Sequence, residues 1–303
     1  MGKLLIICGT TASGKTSLAV QCAQKLNTEI ISADSQLVYR GLNIGTAKPD
    51  LSERRGIVHH MIDIVDPICE FSVVDYRNAA LPIVERLLKE GKTPVLCGGT
   101  AFYINSLIFD FAYGNTGEDK EIRQKYYNIL ESKGKDYLYS LLMERDSETA
   151  QKLHCNDYKR VIRALEIYET SGIKKSEQCD AMTPKFDYLA VAINYPREEL
   201  YRRIDERVDR MFELSLVEEV KNLLSSGVDE NCRCMQAIGY KEVVCCLKNG
   251  DNQSTMRDII KLNTHHYAKR QITFFKKFPN IVWLKPEEAN ADRVLELLYD
   301  SNR

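Results

Sequence analysis

Eight consecutive residues, Gly9-Thr10-Thr11-Ala12-Ser13-Gly14-Lys15-Thr16, have the types and spacing to hold a chain of phosphates. The glycines let backbone wrap closely around phosphate oxygens, and successive N–H groups at a helix N-terminus supply positive potential. Lys15 adds a mobile charge, and the Thr16 hydroxyl can ligate Mg²⁺. The stretch fits G-x-x-x-x-G-K-[ST] without mismatch, between an apolar run and a helical pattern, which is the context a P-loop requires. It specifies a phosphate chain and leaves open whether that chain belongs to ATP. Asp34 is the second candidate: a carboxylate at the end of an expected strand can serve as a general base, or can simply form a turn before Ser35.

These residues need a scaffold that brings loop ends together. Leu4–Cys8 and Thr93–Cys97 read as buried strands, Glu29–Ser32 as a strand ending at Asp34, and His60–Val65 as a third short strand. Helices are expected from about Lys15 to Leu26 and from Val73 to Lys89, the latter kinked by Pro82 and stopped by Gly91. Strands alternating with helices predict an α/β fold, a P-loop NTPase-like parallel sheet flanked by helices, with ligands at the carboxyl ends of the strands. The Gly9 loop, Asp34 and Thr100 all fall at such ends. Further helices are expected at 119–131, 135–145, 147–154, 157–170, 197–214, 217–224, 236–248 and 255–277, with strands at 188–194 and 281–284. The expected organisation is a catalytic core of 1–197 and 279–303, carrying a helical lid-like segment at 113–185, with 198–278 as an inserted all-helical domain. A separate lobe at 113–185 is the alternative division.

The composition, 44% hydrophobic and 28% charged over 303 residues, is that of an ordinary globular protein. No apolar run approaches the roughly 20 residues that cross a bilayer, and the N-terminus reads as a first strand, so no membrane association is expected. Ten scattered cysteines are then expected as reduced thiols in a cytoplasmic protein. Cys232, Cys234, Cys245 and Cys246, with His265 and His266, match no standard zinc spacing and read as core or surface thiols. The net charge of −1 gives no global argument for nucleic acid, but Arg257 to Lys285 holds seven basic residues and one acid. Interleaved with Tyr267, Phe274 and Phe275, this stripe is either a phosphate-backbone footprint or a solvated helix face.

The Gly9–Thr16 loop, Ser32-Ala33-Asp34-Ser35-Gln36-Leu37-Val38-Tyr39-Arg40-Gly41 and Ile44-Gly45-Thr46-Ala47-Lys48-Pro49 together resemble the opening of tRNA dimethylallyltransferases of bacterial type. His59-His60-Met61-Ile62-Asp63, Gly98-Gly99-Thr100, Asn156-Asp157 with Arg160, and Arg163-Ala164-Leu165-Glu166 continue the resemblance. Gln236-Ala237-Ile238-Gly239-Tyr240-Lys241-Glu242 and Ala268-Lys269-Arg270-Gln271-Ile272-Thr273 complete it, in order along nearly the whole chain.

The resemblance implies transfer of a dimethylallyl group from dimethylallyl diphosphate to the exocyclic amine of the adenosine 3′-adjacent to the anticodon. Such an amine is a weak nucleophile and needs a positioned base, for which Asp34 is the candidate. The diphosphate leaving group gathers charge, which Thr10, Lys15, Thr16 and Mg²⁺ can stabilise. The resemblance adds Thr100 and Arg123, although Arg123 also reads as a surface helix arginine. A stacked adenosine must be flipped out to react. Ser35, Gln36 and Leu37 are implied to line its pocket, with Lys159, Arg160, Val161, Ile162 and Arg163 holding the flipped nucleotide. Gln236, Gly239, Tyr240, Lys241, Lys269, Arg270 and Gln271 are implied to grip the anticodon stem-loop of a tRNA bound by a monomeric enzyme. Plain core packing is the other reading of Leu37, Val161 and Ile162. The chain departs from the family pattern at Thr10, usually Pro, at Ala101-Phe102, usually Gly-Leu, and at Phe274, usually Trp. Two enzymatic alternatives are an isopentenyltransferase on free adenine nucleotides and a small-molecule kinase. The third is a non-catalytic RNA-binding protein with a relic loop.

Overall fold

A computed structural model describes residues 3–110, 118–178 and 181–300. The chain divides into two compact units, residues 1–108 with 184–303, and residues 109–183. In the first unit, β1 (Leu4–Cys8) is followed by α1 (Lys15–Leu26), β2 (Ile30–Ser32), α2 (Leu51–Arg54), β3 (His59–His60), α3 (Val73–Lys89), β4 (Val95–Gly98) and α4 (Ala101–Ile108). The second unit holds β5 (Phe109–Asp110), α5 (Lys120–Arg145), α6 (Ser147–Gln151), α7 (Tyr158–Ser171) and β6 (Ala181–Pro184). The chain then returns to the first unit with β7 (Tyr188–Ile193), α8 (Arg197–Glu213), α9 (Leu216–Ser225), α10 (Tyr240–Asn249), α11 (Gln253–Phe275), β8 (Ile281–Leu284) and α12 (Ala291–Asp300).

Six strands form one sheet in the order β3-β2-β4-β1-β7-β8, and the pairings are parallel. All five residues of β1 are buried because helices cover both faces of this central strand. Leu5 and Ile7 of β1, Leu18, Ala19 and Cys22 of α1, and Val294 and Leu298 of α12 share one core. The expected parallel α/β architecture is what the chain adopts.

Local chemistry sets several boundaries. At the end of α3, Gly91 has φ 73°, and the N–H groups of Gly91 and Lys92 donate to Leu88 and Leu87. That closes a Schellman motif, which only a left-handed residue permits at this position. The same helix is continuous through Pro82. The expected third strand is shorter than His60–Val65 and ends at His60, because Met61 and Asp63 take φ of 64° and 56° and leave the extended region. The helix expected from Gln236 begins at Tyr240, after a 3₁₀ turn at Arg233–Gln236 and Gly239 at φ 100°. Residues 198–278 carry helices α8–α11 and fall within the first unit. The position 113 expected to open the lid-like segment, and Cys179, lie outside the described residues. Helix α5 is broken by non-helical Gly134 (φ 80°), matching the two helices expected there.

Gly98 ends β4 where backbone crowds it: a Cβ there would sit 2.1 Å from the Ala33 carbonyl oxygen. Gly98→Ala is therefore expected to destabilise the protein by about 3 kcal/mol through forced backbone displacement. A urea midpoint unchanged from the parent would contradict this.

Candidate active site

The first unit holds a cavity of about 350 Å³ at the carboxyl ends of β1, β2 and β4. The Gly9–Thr16 loop closes one side. Gly9 takes φ 128°, Ala12 φ 60° and Gly14 φ 81°, so the loop turns through left-handed conformations of the kind found in anion-binding nests. The Ser13 hydroxyl donates to the buried Thr10's carbonyl at 2.8 Å, and the Lys15 ammonium donates to the same oxygen at 3.0 Å. Burial pushes the pKa of the Lys15 ammonium below its ordinary value. Thr16 is exposed in the first turn of α1 and lines the cavity.

Asp34 follows β2 and faces the same space. One carboxylate oxygen accepts the Gln36 N–H at 2.9 Å, fixing the side chain in a tight turn. Its other oxygen takes no hydrogen bond among the described residues. Thr100 braces this turn: its hydroxyl oxygen accepts the Ser35 N–H at 3.0 Å, while its own N–H donates to Ala33 at 3.0 Å. Ser35, Gln36 and Leu37 line the cavity beside Asp34.

Helices α8 and α11 supply further side chains, of which the two arginines of α8 are not singled out by the sequence. Arg203 and Arg207 stand one turn apart on α8. Arg203 donates to the Ala12 carbonyl at 2.8 Å, and Arg207, lining the cavity, donates to the Thr46 carbonyl at 3.0 Å. Burial pushes the pKa of the Arg207 guanidinium down, and the neighbouring Asp34 charge opposes that shift. On α11, Tyr267 lines the cavity with its hydroxyl at Gln271 and Thr100; burial, then the Asp34 charge, push its ionisation upward. Gln271 is itself buried. It accepts the Thr11 N–H at 2.9 Å and donates to the Gly99 carbonyl at 3.0 Å, tying the Gly9–Thr16 loop to the Gly98-Gly99-Thr100 turn. The only sequence signal for the arginines is their i, i+4 spacing beside buried Ile204 and Val208.

Other expected site residues separate by environment. Gln236 is exposed and lines the cavity, and its amide donates to Glu230. Gly239 and Tyr240 are buried, whereas Lys241 beside them and Lys269 on α11 are exposed. Arg270 is exposed and lines the cavity, packed over the Tyr267 ring at 5.8 Å. The basic stripe is not uniform. Lys261 pairs with Asp209 at 2.8 Å and Arg257 lies over the Phe212 ring, so both face α8. Ala101 opens α4 outside the left-handed region, so alanine fits there without strain.

Arg123, Lys159, Arg160, Val161, Ile162 and Arg163 belong to the second unit. The fully buried Glu166 carboxylate receives Arg123 at 2.9 Å, Arg163 at 2.8 Å and the Asp119 N–H at 2.7 Å. Glu118 takes a further Arg123 nitrogen at 2.5 Å. Val161 and Ile162 are buried in that unit's core with Tyr126 and Leu142, while Lys159 and Arg160 are exposed.

The order of these motifs along one chain is what the comparisons match. The family model for IPP transferase covers residues 37–278. The chain belongs to the IPP transferase family. A tRNA dimethylallyltransferase of Acetivibrio thermocellus is 42% identical over 295 residues, spanning 96% of this chain and 94% of that protein. One from Alkaliphilus oremlandii is 44% identical over 283 residues, 93% of this chain and 90% of the relative. Among solved structures, the full-length tRNA isopentenylpyrophosphate transferase of Bacillus halodurans superposes with TM-score 0.72 at 36% identity. That match covers all of this chain and 96% of the other. A eukaryotic dimethylallyltransferase acting on tRNA superposes with TM-score 0.84 at 32% identity, covering 100% of this chain and 80% of the other. In this family member, then, one cavity joins the Gly9–Thr16 loop with its Lys15, the Arg207 and Arg270 side chains and the half-buried Asp34 carboxylate.

Proposed function

We infer that the chain transfers a dimethylallyl group to the exocyclic amine of the adenosine 3′-adjacent to the anticodon in tRNA, releasing diphosphate. The observation that carries the reading is the placement of Asp34 opposite an anion site in one cavity. Lys15 and Arg207 both lie within electrostatic reach of the Asp34 carboxylate.

The donor is dimethylallyl diphosphate. Its phosphates sit on the Gly9–Thr16 loop, where N–H groups, Lys15 and Arg207 face charge that grows as the allylic C–O bond breaks. Mg²⁺ fits this loop. Thr16 offers an exposed hydroxyl on the cavity, and among the described residues no cluster of three His, Cys, Asp or Glu competes to hold a metal. Magnesium commonly takes the rest of its shell from phosphates and water, and there it would neutralise leaving-group charge. Ala19, Ile30 and Ile62 give the cavity an apolar flank suited to a five-carbon chain. As the new C–N bond forms, Asp34 accepts the proton the amine loses, and both electrons of the broken C–O bond leave with diphosphate. Water is kept from the allylic carbon by the bound nucleotide.

Lys269 and Arg270, exposed on α11 with Arg270 on the cavity wall, support the tRNA side of the reading. Lys269→Ala with Arg270→Ala should weaken tRNA binding and flatten the slope of log affinity against log salt, by about 0.7 to 0.9 for each phosphate no longer neutralised. An unchanged slope would place tRNA docking elsewhere. No described helix is long and apolar enough to cross a membrane, and the reading puts the enzyme with its tRNA in the cytoplasm.

Incubation with dimethylallyl diphosphate and either unmodified tRNA or AMP, with ATP supplied in a parallel reaction, tests the assignment. Prenylated adenosine should form in the tRNA. Product on AMP alone, or ATP-dependent phosphorylation, would replace the reading.

A further inference from the structure

The Asn43–Ala47 loop forms one wall of the cavity through Gly45, Thr46 and Ala47, and its shape is set from outside the cavity. Glu219, on α9, is not among the lining residues. Its carboxylate accepts three successive backbone N–H groups: Asn43 at 3.0 Å, Ile44 at 2.8 Å and Gly45 at 3.1 Å. The Tyr240 hydroxyl donates to the same carboxylate at 2.7 Å. Three consecutive N–H groups converging on one anion form a nest, here filled by the protein's own side chain. The ring of Tyr240 packs so tightly on Gly45 that a Cβ there would lie 2.5 Å from it. The next carbonyl, that of Thr46, is the acceptor for Arg207 at 3.0 Å.

We propose that Glu219 is a positioning residue for the transfer step, holding the 43–45 backbone so that the Thr46 carbonyl aims the Arg207 guanidinium at the leaving diphosphate. The proposal rests on the donor chemistry inferred above. A carboxylate can accept from all four donors at once. Glutamine presents one acceptor oxygen and turns an NH₂ group toward N–H groups that need an acceptor. The loop then relaxes, and Arg207 loses the fixed carbonyl that orients it. Tyr240 belongs to the Gln236–Lys241 segment expected to face the anticodon arm, so the brace runs between that segment and the donor cavity.

A double-mutant cycle on the single-turnover transfer rate, at saturating dimethylallyl diphosphate and tRNA, tests this. The variants are Glu219→Gln, Arg207→Lys and the pair. Glu219→Gln alone should slow transfer about tenfold, the scale of leaving partly buried donors unmatched, and leave tRNA affinity within about twofold. In the Arg207→Lys background the same change should add little, because the guanidinium it serves is already gone. Independent, multiplying losses would overturn the proposal, as would loss of tRNA affinity without loss of rate. Should Glu219→Gln fail to fold, Tyr240→Phe, which removes a single donor and keeps the ring, is read in the same cycle with an expected loss of about threefold. No transfer by the wild type would instead overturn the functional reading itself.

Discussion

Asp34→Asn should retain tRNA and donor binding and lose roughly 10²- to 10⁴-fold of its transfer rate, the range a positioned general base contributes. Asparagine keeps the acceptor oxygen that receives the Gln36 N–H at 2.9 Å, so the turn and the Thr100–Ser35 brace survive the change. What disappears is the oxygen proposed to accept the amine's proton. The negative charge that Lys15 and Arg207 balance disappears as well. Donor affinity should therefore hold or rise slightly while the rate falls. Single-turnover kinetics beside equilibrium binding separates the two. A rate like that of the parent protein would remove Asp34 from the chemistry.

Arg207→Ala should slow transfer by about 10²- to 10³-fold, as expected for deleting one preorganised donor to developing charge. Burial disfavours its charged form, and the Asp34 charge is the largest influence opposing that, so a bound anion would favour the guanidinium further. The loss should appear mainly in the rate at saturating donor, since the interaction strengthens as the C–O bond breaks. Arg207→Lys should recover part of it, limited by a point charge that lacks the fork geometry. A change confined to the donor KM would mean that Arg207 binds the ground state only.

The difference between these residues is also one of legibility. Gly9–Thr16 and Asp34 stood out as candidates in the sequence because their patterns are local: eight contiguous residues, and a carboxylate closing a turn two residues long. The parallel sheet was legible for the same reason, since β1 and β4 are unbroken apolar runs next to glycine turns. Arg203 meets the Ala12 carbonyl across 191 residues and Gln271 meets Thr11 across 260, and no local pattern records such pairings. Gln271 was expected to grip RNA from its motif; its side chain instead ties two loops together. Strands β5 and β6 escaped because two to four residues carry no period, and β3 was read too long for the same reason. Arg123 and Arg163 read as ligand-facing arginines, while the structure shows them bound to buried Glu166, a pairing visible only once α5 and α7 pack together.

The central claim is that a loop built to hold phosphates here holds a leaving group and transfers no phosphate. Following dimethylallyl diphosphate labelled with phosphorus in both positions and with carbon in the allyl chain tests it most directly. The account predicts carbon label on one adenosine of the tRNA and all phosphorus label as free inorganic diphosphate, in a one-to-one ratio. Phosphorus label on the RNA, or release as orthophosphate in step with turnover, would contradict it.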